Sequence, residues 1–350
     1  MFKNISIIGD GGMGTVLAML LCEKRDSSVA AQQTSVRMWG YDRRQLEEIE
    51  QNRENKKFLP GYKLPDKILF EADDEHIIKG ADLLVSAVPC QFMRGIWTRL
   101  KDYVPENLPV VSVAKGIEND TLLRPTEILE EILDEKRRAR DEERRKRFAV
   151  LSGPTIADEL AQRLPATACA AAEDEALAQE IQHTFSDGVS WLRCYSNTDI
   201  VGVELAGAMK NVIAIAAGII DGTRAGDNAK AALLTRGLAE ISRLGLAMGA
   251  SRETFAGLTG LGDLVTTCIS PKGRNRSFGE RIGKGQTTEQ ALGANESVVE
   301  GVATCKSVVA LAGKYDVEMP ITRAIYEVLF ENKPVQKAIT DLMKRELKAE

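Results

Sequence analysis

Histidine is scarce in this sequence, which contains only His76 and His183 among its 350 residues. Neither histidine has a cysteine or a second histidine at the spacing of metal ligands, so we expect no metal site. Two isolated histidines also argue against a hydrolase built on a Ser-His-Asp triad. The chemistry of this protein must therefore be carried by other side chains.

Paired cysteines are also missing. The six cysteines are spread along the chain without a C-x-x-C motif: Cys22, Cys90, Cys169, Cys194, Cys268 and Cys305. In a chain of this length, such spacing predicts reduced and mostly buried thiols rather than a disulfide framework. No signal-peptide pattern precedes the first strand, since Phe2-Lys3-Asn4 leads directly into it. We therefore expect a cytoplasmic protein.

A strong charge of either sign is absent as well, because the formal net charge is −5. This balance gives no general attraction to nucleic acid or to an anionic membrane, and we expect neither as a partner. An anionic substrate would need a local group of basic residues instead. The longest apolar stretch, residues 200–220, contains Glu204 and Lys210, which predicts a buried helix rather than a membrane span.

The most densely charged segment is 134–147, with eight basic and five acidic residues among fourteen. Interleaved charges of both signs predict an exposed helix or loop. A nucleic-acid patch is the alternative, but the acidic residues and the lack of aromatic side chains argue against it.

Short apolar runs alternate with helical stretches in the first part of the chain. Five runs predict strands: Ile5 to Ile8, Val36 to Trp39, Leu83 to Val88, Val110 to Ala114 and Ala149 to Ser152. Such alternation predicts βαβ units in a parallel sheet. After about residue 195, segments rich in Ala, Leu and Gly with helical spacing take over. We therefore predict an α/β domain over residues 1–195 with a mostly parallel sheet, followed by an all-helical domain over residues 196–350.

A glycine-rich turn follows the first strand and precedes a helix. Residues 9–14, with the sequence GDGGMG, fit the motif G-x-G-x-x-G. Gly9 permits a tight turn, Gly11 lets the backbone approach a pyrophosphate, and Gly14 lets the helix pack on the strand. The helix N-terminus then offers N–H groups to the phosphates. In this context the motif predicts a Rossmann-type dinucleotide-binding domain, in which Asp10 is unfavourable for the pyrophosphate unless its side chain points away.

The residues after the second strand bear on which nucleotide is bound. An acidic residue there holds the ribose hydroxyls of NAD, whereas an arginine favours the phosphate of NADP. The segment Tyr41-Asp42-Arg43-Arg44 supplies both kinds of side chain. NAD(H) and NADP(H) therefore remain open as cofactors.

Two lysines stand out by their context. Lys115 follows the strand at 110–114, at the carboxyl end where ligands bind in open α/β sheets. Lys210 lies in a helix otherwise built from small and apolar residues. A lysine there either reaches a polar cavity or has its pKa lowered by desolvation, which suits general acid–base work. The alternative is a lysine that extends along the helix to solvent.

Further polar residues follow two glycine-rich loops in the second half. Asp263 could cap the next helix, or it could hold a catalytic lysine charged and oriented. Arg274-Asn275 follows Gly273, and its guanidinium suits a phosphate, whose oxygens it can bind with two hydrogen bonds.

Taken together, these motifs resemble those of NAD(P)-dependent glycerol-3-phosphate dehydrogenase of the bacterial type. The similar stretches span nearly the whole chain in family order: 9–18, 113–118, 151–157, 207–214, 226–232, 260–264, 274–276 and 298–301. Two positions depart from the family pattern. The family usually has a small apolar residue where Asp10 stands and an aromatic residue where Met13 stands, which concerns cofactor affinity more than the reaction.

The resemblance implies a role for each matching residue. It makes Lys210 the catalytic proton donor and acceptor, helped by Lys115 and Asp263. It implies substrate contacts at Lys115, Gly153, Thr155, Lys210, Asp263, Gly273, Arg274 and Asn275. It implies cofactor contacts at Gly9, Gly11, Gly12, Met13, Gly14, Tyr41, Phe92, Lys115, Ala157, Arg274, Val298 and Glu300.

The implied reaction is the reversible reduction of dihydroxyacetone phosphate to sn-glycerol 3-phosphate by NADH or NADPH, which supplies glycerophospholipid synthesis. A homodimer is a further expectation. One alternative is a related two-domain reductase of a β-hydroxyacid or of ketopantoate, for which a phosphate-binding Arg274-Asn275 loop would have no use. A second alternative is a catalytically silent nucleotide sensor, for which Lys210 and Asp263 would have no use.

Overall fold

The computed structural model describes residues 2–23, 34–134, 147–294 and 298–347. The chain divides into two compact units. The first unit consists of Met1–Ala114 and Pro125–Val203, and the second consists of Lys115–Arg124 and Glu204–Glu350.

The first unit is built around an eight-stranded sheet. Its described strands are β1 (Asn4–Ile8), β2 (Ser35–Trp39), β3 (Glu54–Asn55), β4 (Leu59–Lys63), β5 (Ile68–Phe70), β6 (Leu83–Ser86), β7 (Val110–Ser112), β8 (Phe148–Ser152), β9 (Ala166–Ala172) and β10 (Leu192–Asn197). The strand order is β10-β9-β8-β7-β6-β1-β2-β5, while β3 and β4 form a separate antiparallel pair. All neighbours in the large sheet run parallel except β8 and β9.

Helices connect these strands. They are α1 (Gly12–Glu23), α2 (Arg43–Asn52), α3 (Asp74–Ile78), α4 (Cys90–Leu100), α5 (Pro125–Leu133), α6 (Ala157–Ala161) and α7 (Glu175–Ser186), with a short 3₁₀ turn at Lys101–Tyr103. All four residues of β6 are buried, as are the last four of β1. Burial of successive residues, which point to opposite faces, is typical of central strands covered by helices on both sides.

The predicted mostly parallel sheet is confirmed, and each of the five predicted strands is present with slightly different ends. Strands β5, β9 and β10 and the β3–β4 pair were not predicted from the sequence. Strand β9 has the sequence ATACAAA, and alanine has a low strand propensity. Its place between β8 and β10 is determined by pairing with both neighbours and by burial.

The second unit has helices and no strand within its described residues, as predicted. They are α8 (Ile200–Thr223), which begins in the first unit, α9 (Asp227–Ala247), α10 (Arg252–Ala256), a π-helical turn (Leu258–Gly262), α11 (Asp263–Ile269), α12 (Arg274–Gly283), α13 (Thr288–Gly293), α14 (Glu300–Lys314), α15 (Pro320–Phe330) and α16 (Val335–Met343). By length and composition alone α8 could cross a membrane, but 94% of its most apolar window is buried inside the protein. That burial is typical of a core helix.

Glycines allow α8 and α12 to cross at backbone contact. A Cβ atom added to Gly218 would overlap the carbonyl oxygen of Arg276, and one added to Gly279 would overlap that of Ile215. Such close approach is available only where a side chain is missing from each helix. The crossing fixes the start of α12 relative to the middle of α8, where Lys210 lies.

The division between the units differs from the predicted boundary at residues 195 and 196. Ile200 and Val203, at the start of α8, pack with Val150 and Cys169 of the sheet and so belong to the first unit. The segment 115–124 belongs to the second unit, because its side chains and carbonyls bind residues there, as Arg124 does with Glu204. Packing and hydrogen bonds between distant parts of the sequence therefore set the division.

Most of the charged run at 134–147 lies outside the described residues, but its two ends are described. Asp134 and Arg147 are both buried, and the carboxylate accepts a hydrogen bond from the guanidinium at 2.6 Å. Arg147 also donates to the carbonyl oxygens of Pro105 and Leu108 at 3.1 and 3.3 Å. The prediction of exposure is wrong at these two positions, because Arg147 immediately precedes the buried strand β8 and its donors find acceptors there.

Candidate active site

A carboxylate shared by two lysines lies within the second unit. Asp263 begins α11, Lys210 lies in the middle of α8, and Lys115 begins the segment 115–124. The Lys210 Nζ atom is 2.8 Å from Asp263 Oδ1, and the Lys115 Nζ atom is 2.8 Å from Asp263 Oδ2. The structure thus brings together the three residues predicted to be catalytic, and each carboxylate oxygen holds one ammonium group.

Burial gives this arrangement its electrostatic character. The side chains of Asp263, Lys210 and Lys115 are 2%, 7% and 14% exposed. Desolvation lowers the pKa of Lys210 to about 8, although the negative charge of Asp263 opposes this and Lys115 adds to it. A buried amine that titrates near neutral pH can both donate and accept a proton. The alternative of a lysine extending to solvent is thereby excluded for Lys210.

The local backbone explains why the Asp263 carboxylate is available to the lysines. The π-helical turn before α11 closes tightly, since a Cβ atom on Gly260 would overlap the carbonyl oxygen of Phe255. Gly262, which precedes the helix, and not Asp263 is the N-cap residue of α11, and no side chain caps this helix. Asp263 therefore does not cap its own helix, and both its oxygens are used by lysines.

Thr267 is a fourth residue in contact with Lys210 and Asp263. It was not predicted from the sequence. It lies one turn after Asp263 on α11, and its hydroxyl accepts a hydrogen bond from Lys210 Nζ at 2.5 Å. The same hydroxyl donates to the Asp263 carbonyl oxygen at 2.7 Å, which leaves its lone pairs for the ammonium group. The spacing of four residues from Asp263 on a helix was the available signal. We call Lys115, Lys210, Asp263 and Thr267 the lysine cluster.

A chain of amide hydrogen bonds supports the lysine cluster from α12 and α14. Asn211, next to Lys210, donates to the Lys115 carbonyl oxygen at 3.1 Å. Asn275 donates to Asn211 Oδ1 at 2.9 Å and accepts from the Gly301 N–H at 2.9 Å. The predicted substrate residue Asn275 is therefore buried, and in these contacts it holds α8 and α14 in place. Asn211, a polar residue in an apolar helix, links Asn275 to Lys115 and was not predicted from the sequence.

The two arginines at the start of α12 differ in their surroundings. Arg276 is mostly buried, and its guanidinium is 2.5 Å from Asp221. Arg274 is exposed, and its side chain makes no hydrogen bond or ion pair with any residue that the structure describes. Gly273, the predicted substrate residue before it, is the N-cap position of α12. An unoccupied guanidinium next to the first N–H groups of a helix is suited to a phosphate.

The glycine turn at residues 9–14 lies in the first unit between β1 and α1. Gly9 has a φ of 120°, and a Cβ atom there would lie 2.7 Å from the Ala87 carbonyl oxygen. A Cβ atom on Gly14 would overlap the Gly9 carbonyl oxygen, whereas one on Gly11 would meet nothing within 4 Å. The turn is thus packed tightly on its inner side and open at Gly11, as an approaching pyrophosphate requires.

A buried asparagine holds this turn, and the sequence analysis did not select it. Asn55 Nδ2 donates to the Asp10 carbonyl oxygen at 2.7 Å and to Thr15 Oγ1 at 2.8 Å. The Thr15 N–H donates to the Gly11 carbonyl oxygen at 2.9 Å, and this is the first backbone hydrogen bond of α1. The earlier N–H groups of α1 are left for a ligand, as at any helix N-terminus.

Other predicted cofactor residues of the first unit differ in their surroundings. A Cβ atom on Gly12 would lie 3.8 Å from the Ala157 side chain, so these two positions are adjacent. Met13 packs against the core of the sheet. Tyr41 and Phe92 are 71% and 54% exposed. Tyr41 follows the end of β2, where the Arg99 guanidinium lies 5.8 Å from its ring centre, and Phe92 lies near the start of α4.

The remaining predicted site residues are placed as follows. Gly153 follows β8 with a φ of 130°, and the Thr155 hydroxyl donates to its carbonyl oxygen at 3.1 Å. Both lie in the first unit. In the second unit, Val298 is exposed and Glu300 is the first residue of α14.

Comparison with known proteins covers nearly the whole chain. Residues 4–178 match the family model of the N-terminus of NAD-dependent glycerol-3-phosphate dehydrogenase, and residues 199–340 match that of its C-terminus. Glycerol-3-phosphate dehydrogenase [NAD(P)+] of Chlorobium phaeobacteroides is 45% identical over 347 residues, which cover 99% of each chain. The crystal structure of glycerol-3-phosphate dehydrogenase from Coxiella burnetii is 33% identical with a TM-score of 0.88, covering 98% of this chain and 99% of that one.

A more distant structure bears on the ketopantoate alternative. A PanE/ApbA family ketopantoate reductase from Ralstonia eutropha has a TM-score of 0.58 and 12% identity, and the match covers 96% of this chain and 99% of that one. At this level of identity only the fold is shared. The full-length matches above carry far more sequence similarity.

Proposed function

The chain belongs to the NAD-dependent glycerol-3-phosphate dehydrogenase family, and from this premise we propose that the lysine cluster is its catalytic centre. The enzyme is an oxidoreductase that interconverts dihydroxyacetone phosphate and sn-glycerol 3-phosphate with NAD(H) or NADP(H). Its product is the backbone for glycerophospholipid synthesis.

The first unit fits a dinucleotide. Gly11 leaves open space at the N-terminus of α1, and Gly12 lies beside Ala157 without a side chain between them. Gly11, Gly12, Met13 and Gly14 would hold the pyrophosphate through backbone N–H groups, while Gly9, whose own N–H donates to the Trp39 carbonyl oxygen at 2.9 Å, would shape the turn. Tyr41 and Phe92 would cover the adenosine. When bound, the nicotinamide supplies or takes up the hydride of the reaction.

The substrate phosphate is assigned to the start of α12. The guanidinium of Arg274 makes no hydrogen bond or ion pair with the described residues, and Gly273 exposes the helix N-terminus beside it. Charge-assisted hydrogen bonds from both would bind a dianionic phosphate. Asn275, held by Asn211 and Gly301, would fix the position of this loop.

Proton transfer is assigned to Lys210. As an ammonium group it donates a proton to the carbonyl oxygen that becomes the hydroxyl, and as an amine it takes that proton back in the reverse direction. Asp263 and Thr267 hold Nζ by hydrogen bonds at 2.8 and 2.5 Å, and Lys115 supplies a second positive charge to stabilise the developing alkoxide. The single observation that carries this proposal is the buried Asp263 carboxylate shared by two lysines, one with a pKa of about 8.

The experiment compares Lys210→Ala with Lys337→Ala, a surface lysine of α16. Loss of NADH and NADPH absorbance is followed with dihydroxyacetone phosphate and, separately, with ketopantoate. We expect reduction of dihydroxyacetone phosphate only, with kcat lowered about 10³-fold in Lys210→Ala because its general acid is missing. NADH affinity, measured by fluorescence, should be unchanged in both variants.

Other outcomes would select the alternatives. Ordinary turnover by Lys210→Ala would contradict the role of the lysine. Turnover of ketopantoate in preference to dihydroxyacetone phosphate would favour the related reductase, and nucleotide binding without turnover of either substrate would favour the sensor.

Location and assembly are also proposals. All six cysteines are free and buried, which suits a reducing compartment, and we therefore propose that the enzyme works in the cytoplasm. A homodimer remains an expectation from the resemblance, and light scattering at assay concentration would test it.

A further inference from the structure

An acidic side chain from the glycine turn lies at the carboxyl end of β2. The Asp10 carboxylate packs against Gly40, the first residue after β2, so closely that a Cβ atom on Gly40 would lie 2.7 Å from Oδ2. Gln45, in the first turn of α2, donates from Nε2 to the same oxygen at 2.7 Å. Asp10 therefore points along the turn towards β2, and Gly40 provides the space that its carboxylate occupies.

This orientation is held by several neighbours. Asn55 binds the Asp10 carbonyl oxygen and so fixes the backbone from which the side chain leaves. Gln45 Oε1 accepts a hydrogen bond from Lys57 Nζ at 3.1 Å, which orients the amide so that its NH₂ group faces Asp10. Oδ2 is thus fixed by a donor. Burial raises the pKa of the Asp10 carboxyl, and hydrogen bonds from its own backbone and from Gln45 oppose this rise.

The acidic residue in the usual sequence position has a different task. Asp42 follows β2 directly, but its carboxylate caps α2 by accepting from the N–H groups of Arg44 and Gln45 at 3.0 and 3.4 Å. Arg43, which could have bound a phosphate, is paired with Glu47 at 3.0 Å on the helix surface. Asp10, more than thirty positions earlier in the chain, thus adds a carboxylate to the mixed charges of residues 41–44 at the end of β2.

The carboxyl end of the second strand is where dinucleotide-binding domains distinguish the two cofactors. A carboxylate there accepts hydrogen bonds from the ribose hydroxyls of NAD and repels the additional phosphate of NADP. A phosphate monoester carries roughly −1.5 to −2 charges at pH 7, so its repulsion by a nearby carboxylate is strong. Lys57 brings a positive charge near Asp10, and its ammonium group donates to Gln45 Oε1 at 3.1 Å.

We propose that Asp10 is the specificity-determining residue of the nucleotide site and makes this enzyme prefer NAD(H) to NADP(H). The inference rests on the proposed function, because it assigns the glycine turn to the dinucleotide. It differs from the family resemblance, which marks Asp10 only as a departure.

The test measures dissociation constants of NADH and NADPH by fluorescence titration, without turnover, for the wild type, Asp10→Asn and Asp42→Asn. Asparagine at position 10 keeps the shape against Gly40 and an oxygen for Gln45 but removes the charge. The wild type should bind NADH at least about tenfold more tightly than NADPH, the size expected for one charge-assisted contact. Asp10→Asn should lower that ratio by about tenfold, chiefly through tighter NADPH binding.

Asp42→Asn is the matched control, because it removes one negative charge at the same end of β2 while keeping a side chain that can cap α2. Its affinity ratio should change much less than that of Asp10→Asn, because the Asp42 carboxylate is engaged by the N–H groups of Arg44 and Gln45. A wild type that binds NADPH as tightly as NADH would overturn the proposal without a variant being made. A ratio that changes in Asp42→Asn and not in Asp10→Asn would overturn it in favour of Asp42.

Failure of the proposed function would look different. A wild type that binds neither nucleotide would remove the dinucleotide site itself and the preference with it. Equal binding of both nucleotides leaves the dehydrogenase assignment intact and removes only the role of Asp10. The thermal unfolding midpoint of each variant, measured alongside, shows whether a change in affinity reflects a change in folding.

Discussion

The glycine turn of the first unit and the lysine cluster of the second are built on different physical principles. In the turn, backbone atoms approach so closely that Gly9 and Gly14 leave no room for a side chain. In the lysine cluster, charged side chains are buried, and their mutual pairing stabilises them. The turn should therefore be sensitive to added atoms and the lysine cluster to lost charges. Substitutions in each region test this difference.

The largest effect is expected for Asp263→Asn, which leaves two buried lysines without their shared carboxylate. Removing one partner of a buried ion pair costs about 3–5 kcal/mol, measured as the free energy of unfolding in urea. Loss of the group that orients Lys210 should also lower kcat by about 10³-fold. Asp341→Asn, which removes the carboxylate of an exposed pair with Lys333, is the control and should change neither quantity appreciably. A stable Asp263→Asn would show that the lysines are not held by charge.

Gly14→Ala should be the next largest, because its methyl group would overlap the Gly9 carbonyl oxygen. Overpacking of this kind costs about 1–3 kcal/mol of unfolding free energy. Gly11→Ala adds the same methyl group at a position with nothing within 4 Å. It should unfold like the wild type and yet bind NADH more weakly, since the methyl group lies where the pyrophosphate approaches. Equal stability of the two variants would contradict the steric account of the turn.

Arg274→Gln tests charge at the start of α12 without burial. Loss of hydrogen bonds to a charged group should raise the KM for dihydroxyacetone phosphate by about 10- to 100-fold with little loss of stability. Arg276→Gln should do the opposite, because Arg276 is paired with Asp221 inside the second unit. Its KM should stay near that of the wild type while its unfolding free energy falls. Reversed results would exchange the roles of the two arginines.

The smallest effect concerns the protonation of Lys210. With a pKa of about 8, Lys210 is protonated below that pH, so the rate of reduction should be level there and fall about tenfold per pH unit above it. The rate of oxidation needs the neutral amine, so it should rise with pH and level off above the same value. A pH profile of kcat in both directions checks this.

Thr267→Val sharpens the same measurement. The Thr267 hydroxyl accepts a hydrogen bond from the ammonium form of Lys210, so its loss should lower the pKa and move both profiles to lower pH. Thr266→Val is the control, because the Thr266 hydroxyl donates to the Gly262 carbonyl oxygen at 3.0 Å and not to a member of the lysine cluster. Identical profiles for the two variants would remove Thr267 from the lysine cluster.

Much of the fold followed from local pattern. Apolar runs such as 83–88 indicated buried strands, because a strand covered on both faces needs apolar residues at successive positions. Strand β9 lacked that signal, since its alanines acquire strand structure only by pairing between two neighbours. The burial of Asp134 and Arg147, at the ends of the charged run, could not be predicted from the sequence either, because a charged residue is buried only where a partner distant in sequence pairs with it.

The tight turn at the glycine motif and the unusual setting of the lysines in apolar segments could both be predicted from the sequence alone. Both are local properties, set by backbone sterics and by the cost of burying an amine. Only the tertiary structure decided that Asp263 serves two lysines, one of them 148 positions away along the chain. The tertiary structure also pairs Arg276 with Asp221, whereas Arg274 makes no hydrogen bond or ion pair with the described residues, and it places the Asp10 carboxylate against Gly40 at the end of β2. Each of these depends on which charges meet in space, and adjacency in sequence does not specify it.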